Sequence, residues 1–294
     1  MIFSKLQKTN VLISFKLLKD KIEKSIKKEI LQMGEKNILR DAVEYSLLNG
    51  GKRYRPILVL LIAEIVNKKF DVTCAAMCVE FLHTASIIAD DLPSMDDERF
   101  RRNKKSLHLK FNEANAILAS YSLISLAYEM IIKNGKILEK SMPKERVNGI
   151  CILAIETISK FAGINGATLG QHLDLFSKDL TLDNINKIIH LKTISLFEIS
   201  FILGWIFAGG DFDKIEIVKK CAYNFGMAFQ IADDLEDYEE DLNKGKKINI
   251  AIALGKDTAN KNLNKAIEDF KEGLKKLNLY TEPFRYLIKK IKDI

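Results

Sequence analysis

Apolar residues in this chain recur at the three- and four-residue spacing of helices almost from end to end. CAAMCVEFLHTASIIADD (74–91), EANAILASYSLISLAYEMIIK (113–133), ISLFEISFILGWIFAGG (194–210) and YNFGMAFQIADDLEDYEED (223–241) are long and apolar, without strand alternation or close-set turns. Some are apolar nearly all round, which predicts helices at the centre of a bundle. Breaks are expected at Gly50-Gly51, Asn134-Gly135, Pro143, Gly209-Gly210 and Gly255. The pattern predicts an all-α bundle of roughly ten or more helices. No tandem repeat of fixed period occurs.

Composition supports one helical body. Of 294 residues, 47% are hydrophobic, enough for a sizeable core, and the four prolines and fifteen glycines are scattered. Without a Pro/Gly/Ser-rich linker, a single domain over 1–294 is expected. The net charge of +7 raises the question of nucleic acid. The lysines are spread along the chain with no basic aromatic cluster, so a solvated surface and no nucleic-acid partner are expected. Cys74, Cys78, Cys151 and Cys221 complete no metal-binding spacing, which points to buried, reduced thiols and a reducing compartment. No apolar run reaches the length of a membrane span, and the opening residues lack the pattern of a signal peptide. A cytoplasmic protein without stable membrane insertion is the expectation.

Two of the apolar helices finish in carboxylates. DDLPSMDDERFRRN (90–103) begins with Asp90 and Asp91 at a helix end, where Pro93 limits regular continuation. Asp96 returns after a short insert, and Arg101 and Arg102 follow. The second helix carries Asp233, Asp234 and Asp237. Asp233 and Asp237 are four apart, on one face, with Gln230 a turn earlier. Like charges so placed cost helix stability and need lysines or divalent cations nearby. Hard ions such as Mg²⁺ favour carboxylate oxygens and share them with substrate phosphates. Arginine forks beside such carboxylates suit phosphate oxygens.

Further cations surround these clusters in sequence. GGKRYRP (50–56) combines glycines, which permit close backbone approach, with Lys52, Arg53 and Arg55 ahead of a helix starting near Pro56. It is not the G-x-x-x-x-G-K-[ST] phosphate loop. LKTIS supplies Lys192 and Thr193, and KGKK supplies Lys246 and Lys247. His83 lies about two turns before Asp90 on the same predicted face. Together the elements specify two acidic faces and two sets of phosphate-gripping cations on an apolar helical body.

The set resembles the trans-isoprenyl diphosphate synthase family, over about residues 45 to 255. DDLPSMDDERFRR is similar to the family's first aspartate-rich motif, in the form with two extra residues between the aspartates; DDLED, preceded by FQIA, is similar to the second. GGKRYRP, GQHLD (Gly170 to Asp174) and LKT (Leu191 to Thr193) follow in the family's order. The resemblance implies an isoprenoid synthase fold around a deep cavity, a homodimer, and three Mg²⁺ ions. It implies that Asp90 and Asp96, assisted by Asp91, bind Mg²⁺ from one side, and Asp233 from the other with Asp234 and Asp237 in support. Arg101, Lys192, Thr193, Gln230 and one of Lys246 or Lys247 would hold an allylic diphosphate. Lys52, Arg55, His83 and Arg102 would hold isopentenyl diphosphate.

Some positions depart from the family pattern. Asn103 and the segment Lys104 to His108 stand where RRG and a PTxH-like run are common, and Tyr121 falls where an aspartate is frequent. None removes a metal ligand. Product length is expected to depend on Ala85 and Ser86, which lie about 6 to 7.5 Å before Asp90 along a helix. Family members that stop at fifteen carbons place an aromatic ring there, so these small residues favour a C20 product over C15, with Phe81 and Leu82 as a floor. A terpene cyclase and a non-catalytic partner subunit are the rival readings; both intact aspartate clusters weigh against them.

Overall fold

The computed structural model of the protein describes residues 5–245 and 248–293. The expected all-α fold is what the chain forms: helices follow one another throughout, and among the described residues the only sheet is a two-residue antiparallel hairpin. The chain gathers into two compact units.

One unit comprises Ile13–Glu156 with Ile206–Gly209. Its helices are α1 (Lys5–Ile30, in large part), α2 (Ile38–Leu47), α3 (Tyr54–Asn67), α4 (Thr73–Asp90), α5 (Leu107–Phe111), α6 (Glu113–Leu138) and most of α7 (Lys144–Ala162). The hairpin pairs β1 (Phe100–Arg101) with β2 (Lys104–Lys105). Helix α4 is the central element, packed against α2, α3 and α6. Twelve of its eighteen residues are buried, from Thr73 to Ile88, which is why it reads as apolar on almost every side. Each large apolar side chain so buried contributes about 1.5–3 kcal/mol.

The other unit is built from Thr157–Trp205, the residues from Gly210 onward and the start of α1 as far as Leu12. It contains α8 (Ala167–Phe176), α9 (Leu182–Ile189), a π-helical turn (His190–Ile194) and α10 (Ser195–Phe207, most of it). It continues with α11 (Ile215–Glu236), α12 (Tyr238–Lys244), α13 (Ile250–Leu254), α14 (Lys256–Lys276) and α15 (Glu282–Lys292). Its core is aromatic. Phe197, Phe201, Phe225, Phe270 and Phe284 are fully buried, with neighbouring ring centroids 5.1 to 6.3 Å apart and several edge-on. Such pairs add about 0.5–1.5 kcal/mol each beyond area burial.

Four of the five expected breaks fall at element ends, including Gly209 and Gly255 at φ of +80° and +77°. The break at Asn134-Gly135 is not there: α6 continues to Leu138. Both residues serve packing instead. The fully buried Asn134 side chain accepts from the Ala75 N–H at 2.9 Å and donates to the Asp71 carbonyl at 3.1 Å, completing the start of α4 from a neighbouring helix. A Cβ on Gly135 would stand 2.7 Å from Cys151 Sγ, so glycine lets α7 approach.

As folded, Glu113–Leu138, Lys144–Phe176 and Leu182–Phe207 are long and apolar enough to cross a membrane, by length and composition alone, which corrects the expectation. In the third, 78% of the apolar window is buried inside the protein, against 39% and 33% in the others. The four cysteines are free thiols, as expected, but only Cys78 and Cys221 are buried; Cys74 and Cys151 are half-buried at helix surfaces.

Candidate active site

Backbone geometry in the first acidic cluster does what the sequence suggested. Helix α4 ends at Asp90, and the turn through Pro93 folds back until the Asp96 N–H donates to the Asp90 carbonyl at 2.9 Å. Asp90 is half-buried and Asp96 exposed. Asp91 differs: its carboxylate is buried and accepts from Arg101 Nε at 2.9 Å and from the same guanidinium's Nη2. Asp91 and Arg101, assigned to metal and to diphosphate, are here bonded to each other, so Asp91 braces the cluster.

Arg102 is presented by the hairpin. Arg102 and Asn103 both adopt positive φ, 53° and 63°, the geometry of a two-residue type I′ turn. Asparagine tolerates that region better than most residues, so Asn103 in place of the common glycine keeps the turn. The hairpin is tied down by Tyr45 Oη, donating to the Lys105 carbonyl at 2.9 Å, and Asn49 Nδ2, donating to the Arg101 carbonyl at 3.2 Å. Arg102 reaches back to donate to the Gly50 carbonyl.

Arg102 also lines a cavity of about 690 Å³, together with Lys52, Arg55, His83, Arg53 and Glu80 among others. All four residues expected to hold isopentenyl diphosphate are therefore gathered around one space. Arg55 Nη1 lies 3.4 Å from His83 Nε2. Burial, with Arg102 adding and Glu80 opposing, lowers Arg55 from its ordinary value to about 10. Burial and then the Arg55 and Arg102 charges hold His83 well below the usual imidazole range, and its buried Nδ1 has no hydrogen-bond partner among the described residues. A cavity ringed by mutually repelling cations is built for a polyanion.

Sequence reasoning did not separate the roles of the three cations in GGKRYRP. Arg53, in left-handed conformation, is buried: its Nε donates to Glu23 at 2.8 Å, its Nη1 pairs with Glu80, and its Nη2 donates to the Leu47 carbonyl. It anchors the loop, while exposed Lys52 and half-buried Arg55 face the cavity. The missed partner was Glu80. Its signal was present: a single acid within an apolar helix, three residues before His83.

Of the chain-length candidates, Ser86 shares the partly open stripe of α4 with His83 and Asp90. Ala85 is buried beneath α6, where Ser120 Oγ donates to its carbonyl at 3.0 Å. Phe81 and Leu82 are buried. Tyr121 is exposed on α6.

In the second unit the aspartates again divide. Asp234 is buried: Oδ1 accepts from Gln230 Nε2 at 2.8 Å and Oδ2 accepts from the Ile250 N–H at 2.7 Å, while Asn249 Nδ2 donates to its carbonyl at 3.0 Å. It ties α11 to the start of α13. Asp233 is half-buried and Asp237 exposed, linked through the Asp237 N–H to the Asp233 carbonyl at 3.0 Å. Lys192 and Thr193 lie on the π-helical turn, half-buried, and Lys192 pairs with Asp174. GQHLD and LKT thus meet. A Cβ on Gly170 would stand 2.3 Å from the Lys192 backbone nitrogen, so only glycine admits this backbone approach. Lys246 and Lys247 lie outside the described residues.

Among the described residues no three His, Cys, Asp or Glu side chains converge tightly enough to hold an ion alone. Within each unit the oxygen donors that are not buried, Asp90 and Asp96 in one and Asp233 and Asp237 in the other, fit a hard divalent cation that keeps several ligands from water or phosphate.

The helices thus carry acidic ends in both units and a polycationic cavity in one. Comparison with known proteins gives the family: the model described as Polyprenyl synthetase matches residues 36–282, through both units, and the chain belongs to that family. Geranylgeranyl pyrophosphate synthase 11, chloroplastic, of Arabidopsis thaliana is 38% identical over 227 residues, covering 74% of this chain and 61% of that protein. The chain spans about three-fifths of the length of such curated relatives. Among solved structures, a geranyltransferase from Legionella pneumophila superposes with TM-score 0.82 at 25% identity, covering 97% and 98% of the two chains. A geranyltranstransferase from Thermotoga maritima gives 0.74 at 28% identity, covering 96% and 100%.

Proposed function

We propose that the protein is a Mg²⁺-dependent prenyltransferase that condenses isopentenyl diphosphate head-to-tail with an allylic diphosphate (dimethylallyl, geranyl or farnesyl) and makes chiefly geranylgeranyl diphosphate. The observation that carries this reading is the grouping of Lys52, Arg55, His83 and Arg102 around one cavity on the unit that also bears Asp90 and Asp96. These cations hold the isopentenyl diphosphate. Arg101, Lys192, Thr193 and Gln230 are assigned to the allylic diphosphate, with Lys246 or Lys247.

Asp90 and Asp96 in one unit, and Asp233 and Asp237 in the other, are assigned to metal, with Asp91 and Asp234 in support. Mg²⁺ held there, three ions in this reading, would supply positive charge beside the allylic diphosphate. Lysine and arginine donors fixed in advance stabilise the charge developing on it. The allylic C–O bond breaks with its electron pair on diphosphate, the isopentenyl double bond attacks the resulting carbocation, and a proton leaves to the departing diphosphate. Apolar helix faces keep water from the cation.

The C20 product is supported by the small residues Ala85 and Ser86 and by the geranylgeranyl pyrophosphate synthases among the relatives. A homodimer is supported by apolar side chains left exposed on α6 and α7, among them Ile117, Leu118, Ile124, Ile152 and Ile155. Free thiols suit a reducing, cytoplasmic setting. The test is incubation of purified protein with Mg²⁺, isopentenyl diphosphate and each allylic primer, followed by product chromatography. A C20 main product is expected; a C15 one overturns the length assignment. Diphosphate release that does not need isopentenyl diphosphate overturns the reaction.

A further inference from the structure

The π-helical turn that carries Lys192 and Thr193 is bridged by two residues that the reaction does not use. His190, its first residue, has Nε2 3.2 Å from Oε2 of Glu198, which is buried on α10. Eight residues in an uninterrupted α-helix make about 2.2 turns and leave the two side chains about 80° apart. A π turn takes roughly one residue more than an α turn. One π turn and one α turn then use about eight residues for two full turns, which brings positions 190 and 198 onto one face. The hydrogen bond between them is compatible with the π register and not with the α register.

One backbone bond points the same way, and other contacts brace the turn. The Ser195 N–H bonds to the His190 carbonyl, the five-residue link that defines the turn, and Ser195 Oγ donates to the Leu191 carbonyl at 2.6 Å. The Tyr223 ring of α11 stands edge-on to His190, centroids 5.2 Å apart. Behind the turn opens a cavity of about 440 Å³ that His190, Glu198 and Tyr223 help line. It leaves the imidazole reachable from solvent, with a side-chain exposure of 39%.

We propose that Glu198 and His190 are positioning residues: their bridge holds the π register, and the π register aims Lys192 and Thr193 at the allylic diphosphate. The proposal rests on the assignment of Lys192 to that substrate. Slipping to the α register would rotate Lys192 and Thr193 relative to the helix beyond them. Removing the bridge therefore weakens binding of the allylic substrate while isopentenyl diphosphate, held by the other unit, is unaffected.

The experiment compares steady-state constants of Glu198→Leu, Glu198→Gln, His190→Ala and Lys192→Ala. Glu198→Leu and His190→Ala are expected to raise KM for the allylic diphosphate about tenfold, the equivalent of one charge-assisted hydrogen bond. KM for isopentenyl diphosphate stays within about twofold, well inside that margin. Glu198→Gln, which keeps a hydrogen-bonding oxygen, restores most of the loss, and added imidazole rescues His190→Ala through the open cavity. Unchanged allylic KM in both bridge variants, with Lys192→Ala impaired, overturns the proposal. Unchanged allylic KM in Lys192→Ala overturns the underlying assignment instead. Because His190 is part-exposed, its alanine variant decides the matter should Glu198→Leu not fold.

Discussion

Arg102 lies directly over Gly51: a Cβ at position 51 would stand 2.6 Å from the guanidinium carbon. The backbone there is at φ +120°, which L side chains rarely adopt. Gly51→Ala therefore displaces Arg102 from the cavity as well as straining the chain, by about 1–3 kcal/mol. Gly50, at φ +77°, has open space around its α-carbon. Gly50→Ala is expected to carry strain alone. Thermal unfolding should fall in both variants, and KM for isopentenyl diphosphate should rise only in Gly51→Ala.

Neighbouring cations of one loop are expected to behave oppositely. Arg53 is buried against Glu80, so Arg53→Ala leaves a buried carboxylate without its partner and costs about 3–5 kcal/mol. Lys52 is exposed at the cavity. Lys52→Ala should leave the unfolding midpoint unchanged within about 0.5 kcal/mol and weaken isopentenyl diphosphate. Chemical denaturation with steady-state kinetics separates the two.

The same division holds in the second acidic cluster. Asp234→Ala removes the acceptor of the Ile250 N–H and of Gln230, and should destabilise the protein by about 1–3 kcal/mol. Asp233→Ala should abolish turnover with little loss of stability. Equal destabilisation in denaturant would contradict the assignment.

Helix periodicity and the two acidic helix ends were legible because both are written in residue types at fixed spacing. What was not legible depends on partners distant in sequence. Asp91 and Asp234 look like their neighbours Asp90 and Asp233, and only folding shows that Arg101 and the Ile250 N–H claim them. Asn134-Gly135 read as a helix end by local preference, yet α4 and α7 supply the contacts that keep it helical. The π turn left no trace in the apolar pattern, since one extra residue in a single turn shifts a period too little to detect. The hairpin after the first cluster was too short for strand alternation, though Asn103 carried its signal.

Along α4 the two positions proposed to set product length also part. Ser86 shares the partly open face of His83 and Asp90, whereas Ala85 is buried against α6. Ser86→Phe is expected to shift the main product from C20 toward C15 with stability preserved. Ala85→Phe should shorten the product too, but at a cost of about 1–3 kcal/mol from overpacking. Chromatography of products alongside thermal unfolding checks both, and an unchanged product spectrum in both variants removes the length argument.

In the proposed site, His83 is expected to make binding of isopentenyl diphosphate pH-dependent. Burial and the Arg55 and Arg102 charges depress its proton affinity, so the ring is neutral in the cavity at neutral pH. A polyanion arriving among those cations reverses the field and favours the imidazolium. Binding should take up a fraction of a proton near pH 7, seen as a dependence of calorimetric binding heat on the ionisation enthalpy of the buffer. The sign for stability is opposite. A base whose folded value lies below its unfolded value of about 6.5 adds no penalty above that pH and destabilises progressively as pH falls below it. His83→Gln should remove the proton uptake and flatten the acid-side loss of stability between about pH 6.5 and the depressed folded value. Proton uptake that persists in His83→Gln would place the titrating group elsewhere in the cavity.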